Sequence, residues 1–360
     1  MTNQTLLFSA TMTSIVILVV LIHIVLVDEC LGACDRKTCI GGACDVTTQS
    51  CNQDCLWENC NLSCTSSVRE CNQDCTRGSC NAFSNVETLN QFCLWEKCAV
   101  ACLGSAKQCN QTCVWGDCNS MCDAEKCRQD CVWEDCELKC PSGAKECIQG
   151  CTRGGCNAIS NAETFNQFCL TGDCKTACLG SAKQCNQTCA HGECNSTCDA
   201  EKCWQNCGSG DCELKCPSGT KECIQNCTRG GCNAISHAET LNQFCSWGEC
   251  KIACSGSAKH CHQTCGYGDC NSTCDAEKCQ QNCERGDCEL KCPSGAKECI
   301  QNCTRGGCNA ISNAETLNQF CSWGECGVAC LGSAKQCNQT CAHGECNSTC
   351  DAEKCWQNCG

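Results

Sequence analysis

The residues in this chain with the most chemistry are its cysteines, 62 of 360. Thiols at that density can close disulfides, hold soft metal ions as thiolates, or act as nucleophiles. A nucleophile needs a base held beside it, and the six histidines do not supply one in any regular way. His191 and His343 sit in AHGE segments, while His237, His260 and His262 stand where sister copies carry Asn or Gln. No triad assembles and no Gly-rich phosphate loop is present, so the chain is expected not to be an enzyme and to need no cofactor. Dense thiolate clusters use very close ligands, yet the sequence contains no CC, C-x-C or C-x2-C. Metal binding is therefore the third option and disulfides the first.

The compartment follows from the same count. Such a thiol load stays reduced in a cytosol, whereas an oxidising space turns it into a scaffold. The segment Ile15–Val27, IVILVVLIHIVLV, is short for a bilayer span and suits a signal-peptide core. Every cysteine follows it. Residues 1–32 are accordingly expected to be a signal peptide, with a retained anchor as the alternative, and the mature chain to be secreted. Its net charge of −14, with no basic stripe, argues against nucleic acid or a membrane surface as partner.

Spacing organises the rest. Cys102-LGSAKQ-Cys109 recurs at Cys178–Cys185, Cys254–Cys261 and Cys330–Cys337, a period of 76 residues. From Cys98 to Cys359 the intervals between successive cysteines are only 3, 4, 6 or 12 residues. They resolve into C-x3-C–loop–C-x3-C units: Cys118, Cys122, Cys127, Cys131, then Cys136, Cys140, Cys147, Cys151, and in the next set Cys174, Cys178, Cys185, Cys189. Four units make one 76-residue repeat. Residues 33–97 form an irregular start, and 98–360 the tandem repeats, beginning near 98, 174, 250 and 326.

One unit in four has only two cysteines, such as Cys156 and Cys169, with Ser160 and Phe165 at the inner positions. Loss of both inner thiols together is what bonded partners would show. This favours nested pairing: Cys118–Cys131 outside Cys122–Cys127, Cys136–Cys151 outside Cys140–Cys147, Cys174–Cys189 outside Cys178–Cys185, and Cys156–Cys169 alone. The alternative links neighbouring units through the outer thiols, for example Cys131 to Cys136, and four cysteines never fix their own connectivity.

Local signals point to helix. Ser160-Asn-Ala-Glu163 and Ser181-Ala-Lys-Gln184 fit capping boxes, and Gly172 and Gly192 fit helix C-terminal positions. C-x3-C places both thiols on one helical face. The expected fold is a set of small disulfide-rich repeats, mainly short helices and turns, in an elongated solenoid-like array without a large hydrophobic core. Trp95, Trp115, Trp133, Trp247 and Trp323 stand in the links and are expected to pack on a disulfide or on the next unit. The sharper alternative, an aromatic row for a ligand, is weakened by His191, Ser209, Tyr267 and Arg285 at equivalent places. Sequons at Asn61, Asn110, Asn186, Asn195, Asn271, Asn338 and Asn347 are candidate glycosylation sites; Asn226 and Asn302 carry Cys as the middle residue.

The regular spacing resembles that of extracellular cysteine-rich repeat proteins of the Balbiani-ring type, over the whole mature chain. That resemblance implies a structural or matrix role and carries no site residues. Near-identical copies favour a secreted structural or interaction protein of a matrix, coat or fibre, with other extracellular proteins or its own copies as partners. A tandem binding array of protease-inhibitor or toxin-like units is the alternative, in which Lys145 or Lys183 would be the protease-directed residue. A thiolate metal store comes third.

Overall fold

A computed structural model describes residues 37–39, 42–46, 50–57, 59–64, 66 and 68–360. The run Ile15–Val27, Cys30 and Cys34 lie outside the described residues. The expectation of short helices is overturned: the described residues hold no helix, and 27 strands hydrogen-bond into one continuous parallel system. Each 18- or 20-residue unit is one coil of a parallel β-solenoid. First arms stack on first arms, with Cys136 in register with Cys118 and Cys156 with Cys136. Second arms do likewise, Cys147 on Cys127 and Phe165 on Cys147. The 76-residue repeat is thus four coils.

The physical reason lies in the arm itself. Positions i and i+4 share a face on a helix, but on a strand i, i+2 and i+4 share one. In the strand Cys118–Cys131 the side chains alternate: Cys127, Gln129 and Cys131 are buried, and Arg128 is exposed. A strand therefore buries a middle residue that a helix would turn outward. From Ser50 on, that residue is Leu, Ala, Val, Ser, Thr or Ile in first arms and Gln in second arms. The capping-box serines are used differently as well. Ser160 Oγ accepts from Ala162 N at 3.1 Å inside a bend, and the backbone of 181–184 belongs to the strand Cys174–His191.

Two columns of buried cysteines run the length of the solenoid, one at the links and one at the bends. Between them the Gln side chains form two hydrogen-bonded ladders, Gln53 to Gln149 and Gln187 to Gln357, with the buried Gln167 amide unpaired between them. Gln225 Nε2 donates to Gln205 Oε1 at 2.9 Å, Gln243 to Gln225 at 2.8 Å and Gln263 to Gln243 at 2.8 Å. The second amide proton ties the two arms of a coil together, as Gln243 Nε2 does to the Ala234 carbonyl at 2.8 Å. A buried amide so satisfied avoids the desolvation cost of an orphaned polar group.

The link glycines are set by stacking rather than by helix ends. Gly192 has φ +120°, and a Cβ there would lie 2.1 Å from the Gly172 carbonyl oxygen one coil below. No L side chain fits that approach. Glu96 and Glu134 replace the glycine in the N-terminal copies, with φ of 72° and 71°.

Candidate functional site

The groups that could do chemistry are the two cysteine columns, and their pairing differs from the nested expectation. At the links the structure joins Cys113–Cys118, Cys131–Cys136, Cys151–Cys156, Cys169–Cys174 and Cys189–Cys194, with Cα separations of 6.1–6.4 Å. The outer pairs Cys118–Cys131, Cys136–Cys151, Cys156–Cys169 and Cys174–Cys189 are not formed. Each coil climbs one layer, so the end of a second arm faces the start of the next first arm across a four-residue link. The nested partner stacks one layer away: Cys118 sits in register with Cys136, the residue that Cys131 bonds. How near that rival stands is visible in the coil 346–359, where Cys359 Sγ is 3.1 Å from the Sγ of Cys346, itself bonded to Cys341.

At the bends, Cys122–Cys127 and Cys140–Cys147 are bonded within their coil. Cys178 and Cys185 are instead buried thiols, as are Cys102 and Cys109, Cys254 and Cys261, and Cys330 and Cys337. The LGSAKQ bend continues as strand, with a register shift between Cys178 and Ala182. The PSGAKE bend breaks between the strands Cys136–Cys140 and Glu146–Arg153. Each staple encloses a short loop, and loops of six to eight residues contribute about 2 kcal/mol apiece in the chain-entropy account, less than the 14-residue loops of a nested scheme.

The thiol pairs recur once per four coils. Burial first, then the hydrogen bond each thiol donates to its neighbour, pushes Cys109, Cys185 and Cys261 well above the ordinary thiol range. Such thiols are protonated at neutral pH and poorly nucleophilic. A third sulfur is close: the Sγ atoms of Cys178, Cys185 and Cys198 all lie within 4.8 Å of one another. Cys198 is bonded to Cys203, so two thiols and one disulfide sulfur fall short of the four ligands a structural zinc site takes.

The surface carries further ladders. Along the bend edge the Lys of each six-residue bend pairs with a Glu of the preceding coil: Lys145 with Glu125 at 3.3 Å, Lys259 with Glu239 at 2.9 Å and Lys183 with Glu163. The Lys183 hydrogen bond holds the Glu163 carboxyl below the usual carboxylate range, and Glu163 raises Lys183 in return. Lys145 and Lys183, the residues a protease-directed loop would present, are thus members of an exposed ion-pair row.

Along the links, aromatic rings pack against rings of the next coil. Trp95 and Trp115 lie 5.5 Å apart, Trp115 and Trp133 4.6 Å, Trp247 and Tyr267 4.3 Å, and Trp323 and His343 4.4 Å. Arg153 caps Trp133 at 4.6 Å. The neighbouring recesses are open grooves lined by residues such as Asp117, Asp135 and Asp173.

The sequons divide between the two faces. Asn61, Asn195, Asn271 and Asn347 point outward and exposed from first arms, whereas Asn110, Asn186, Asn226, Asn302 and Asn338 lie on second arms. Several second-arm amides belong to surface ladders, with Asn110 Nδ2 donating to Asn90 at 2.8 Å and Asn226 to Asn206 at 2.9 Å. No protein family, curated protein or solved structure matches this chain.

Proposed function

We propose that this disulfide-stapled repeat protein is a secreted, non-catalytic structural element of an extracellular matrix, coat or fibre. The observation that supports it most is that the interior serves stacking alone. Each described coil from 60 to 341 buries its four inward end positions, a middle side chain and a Gln against the coils above and below. The staples multiply with length, so every added coil brings its own crosslinks and the rod gains durability without a new core. Extensive disulfides fit an oxidising space, and no helix among the described residues is long and apolar enough to cross a membrane.

The test is where the protein is found and what releases it. Antibody staining of source tissue, with sequential extraction in detergent and then in detergent plus reductant, should place it outside cells in material solubilised only by the reductant. Recovery from a cytosolic fraction with its cysteines reduced would overturn the reading.

A further inference from the structure

The two sheet faces differ in a way the overall charge hides. From Ile148 to Asn358, the five-residue cores of twelve successive second arms hold 24 outward positions, and none is Asp, Glu, Lys or Arg. Ten are Asn, three Thr, three Phe, three Ile and two Trp; the rest are Gly150, His262 and Gln280. The opposite face carries charge in alternate coils up to Lys291, at Lys175, Glu213, Lys215, Lys251, Glu289 and Lys291. In a chain of net charge −14 a neutral face of this length is not what average composition produces.

The apolar members are spaced regularly. Phe168, Phe244 and Phe320 recur every four coils and stand 47%, 43% and 44% exposed, each followed one coil later by Thr188, Thr264 or Thr340. Charged residues lie only at the rim, where Lys202 pairs with Glu222 at 3.5 Å and Lys278 with Glu298 at 3.8 Å. A centre depleted of charge with aromatic anchors and a charged rim is the anatomy of a protein interface.

We propose that this face docks against the same face of a second copy of the chain. Size supports that occupant. Eleven rung spacings of ~4.8 Å and an arm of five residues at ~3.3 Å give a flat area of ~850 Å² per copy, the amount a stable pair buries on each side. Charge supports it too, since two acidic rods repel least where neither carries charge. The face is also self-complementary by construction: a two-fold axis lays the four-coil pattern of one copy along that of the other. The inference rests on the structural reading by naming its partner. Dimer formation in solution can fail while extracellular location holds, and the reverse.

Sedimentation velocity of the full chain from 1 to about 100 µM tests it. The wild-type protein is expected to dimerise. The triple variant Phe168→Glu, Phe244→Glu, Phe320→Glu should weaken the pair at least about 100-fold. Ile159→Glu, Ile235→Glu, Ile311→Glu adds the same three charges to the opposite face and should leave dimerisation within about threefold of wild type. Intact mass and circular dichroism establish that all three proteins fold with the same disulfide content. A wild-type chain monomeric at 100 µM, equal loss in both variants, or N-glycans occupying Asn186 or Asn338 in the native protein would each overturn the proposal.

Discussion

Replacing Gln243 with Leu removes one rung of the buried amide ladder while nearly preserving volume. Gln243 donates to Gln225 Oε1 and to the Ala234 carbonyl, each at 2.8 Å, and accepts from Gln263 Nε2 at 2.8 Å. Leucine leaves the Gln225 oxygen and one Gln263 proton buried without a partner. Each orphaned group costs about 1–3 kcal/mol, partly offset by the apolar side chain, for a net loss of about 2–4 kcal/mol. Because a solenoid coil touches mainly its neighbours, the loss should stay local. Hydrogen exchange read by mass spectrometry should show amides of 223–265 exchanging roughly thirty- to several-hundredfold faster, with coils before 190 unchanged. Asn242→Leu, one residue away on the outer surface, should change nothing beyond about 0.5 kcal/mol. The double variant Gln243→Leu, Gln263→Leu removes both partners of one bond, so its cost should fall short of the sum of the singles by about 1 kcal/mol. Exchange in Gln243→Leu equal to wild type, or strict additivity in the double variant, would refute the argument that the ladder is a coupled network.

Three further outcomes follow from the geometry. Gly192→Ala puts a Cβ 2.1 Å from the Gly172 carbonyl at φ +120° and should destabilise its coil by about 3 kcal/mol or more. Gly180→Ala, at φ +40° with nothing nearer than 4.0 Å, should cost about 1 kcal/mol; similar melting shifts for the two would contradict the stacking account. A non-reducing peptide map should recover Cys131 joined to Cys136, and a dominant Cys118–Cys131 peptide would contradict the link pairing. The buried Cys185 thiol should resist iodoacetamide at pH 7–8 and react as the pH is raised further. Burial raises the folded-state value of Cys185, so its stabilising contribution is complete below the unfolded thiol range of about 8.5 and is lost as pH climbs towards the folded value. Labelling at pH 7 as fast as a free cysteine would refute the burial argument.

Much of the architecture was legible in spacing, and the part that was not turned on one ambiguity. The 18- and 20-residue units, their grouping in fours and the solenoid-like stacking follow from the cysteine intervals, because an interval repeated without drift means equivalent positions in space. The paired absence of thiols at Ser160 and Phe165 marked the bend partners, since those two positions face each other across the coil. The intervals could not say whether C-x3-C was helix or strand, as both put positions i and i+4 on one side. Scarce β-branched residues and plausible capping boxes then favoured helix. Those local signals were real but weak: Ser160 does cap a backbone amide, that of Ala162, inside a bend instead of a helix.

A stronger signal for strand lies in the second arm. The central residue of the second arm is Gln at position after position, through CNQTC, CIQNC, FNQFC and CWQNC, while its two flanking neighbours change freely. On a helix the middle position i+2 points away from i and i+4, so an unchanging Gln there would sit exposed among variable residues. On a strand it points inward with the cysteines, where from Gln53 to Gln149 and from Gln187 to Gln357 the amides hydrogen-bond copy to copy, a role no other side chain fills. The same reasoning explains why the link position is glycine in every coil from Gly154 on: each is fixed by the carbonyl of the residue beneath. It also explains why pairing outran the sequence. In a helix pair the outer thiols meet within the unit, whereas in a rising coil they meet across the link, and only the strand assignment tells the two apart. Period two, read through the residue that never changes, decides the element; the element decides the pairing; and the outward positions left free by both are where the neutral face could accumulate.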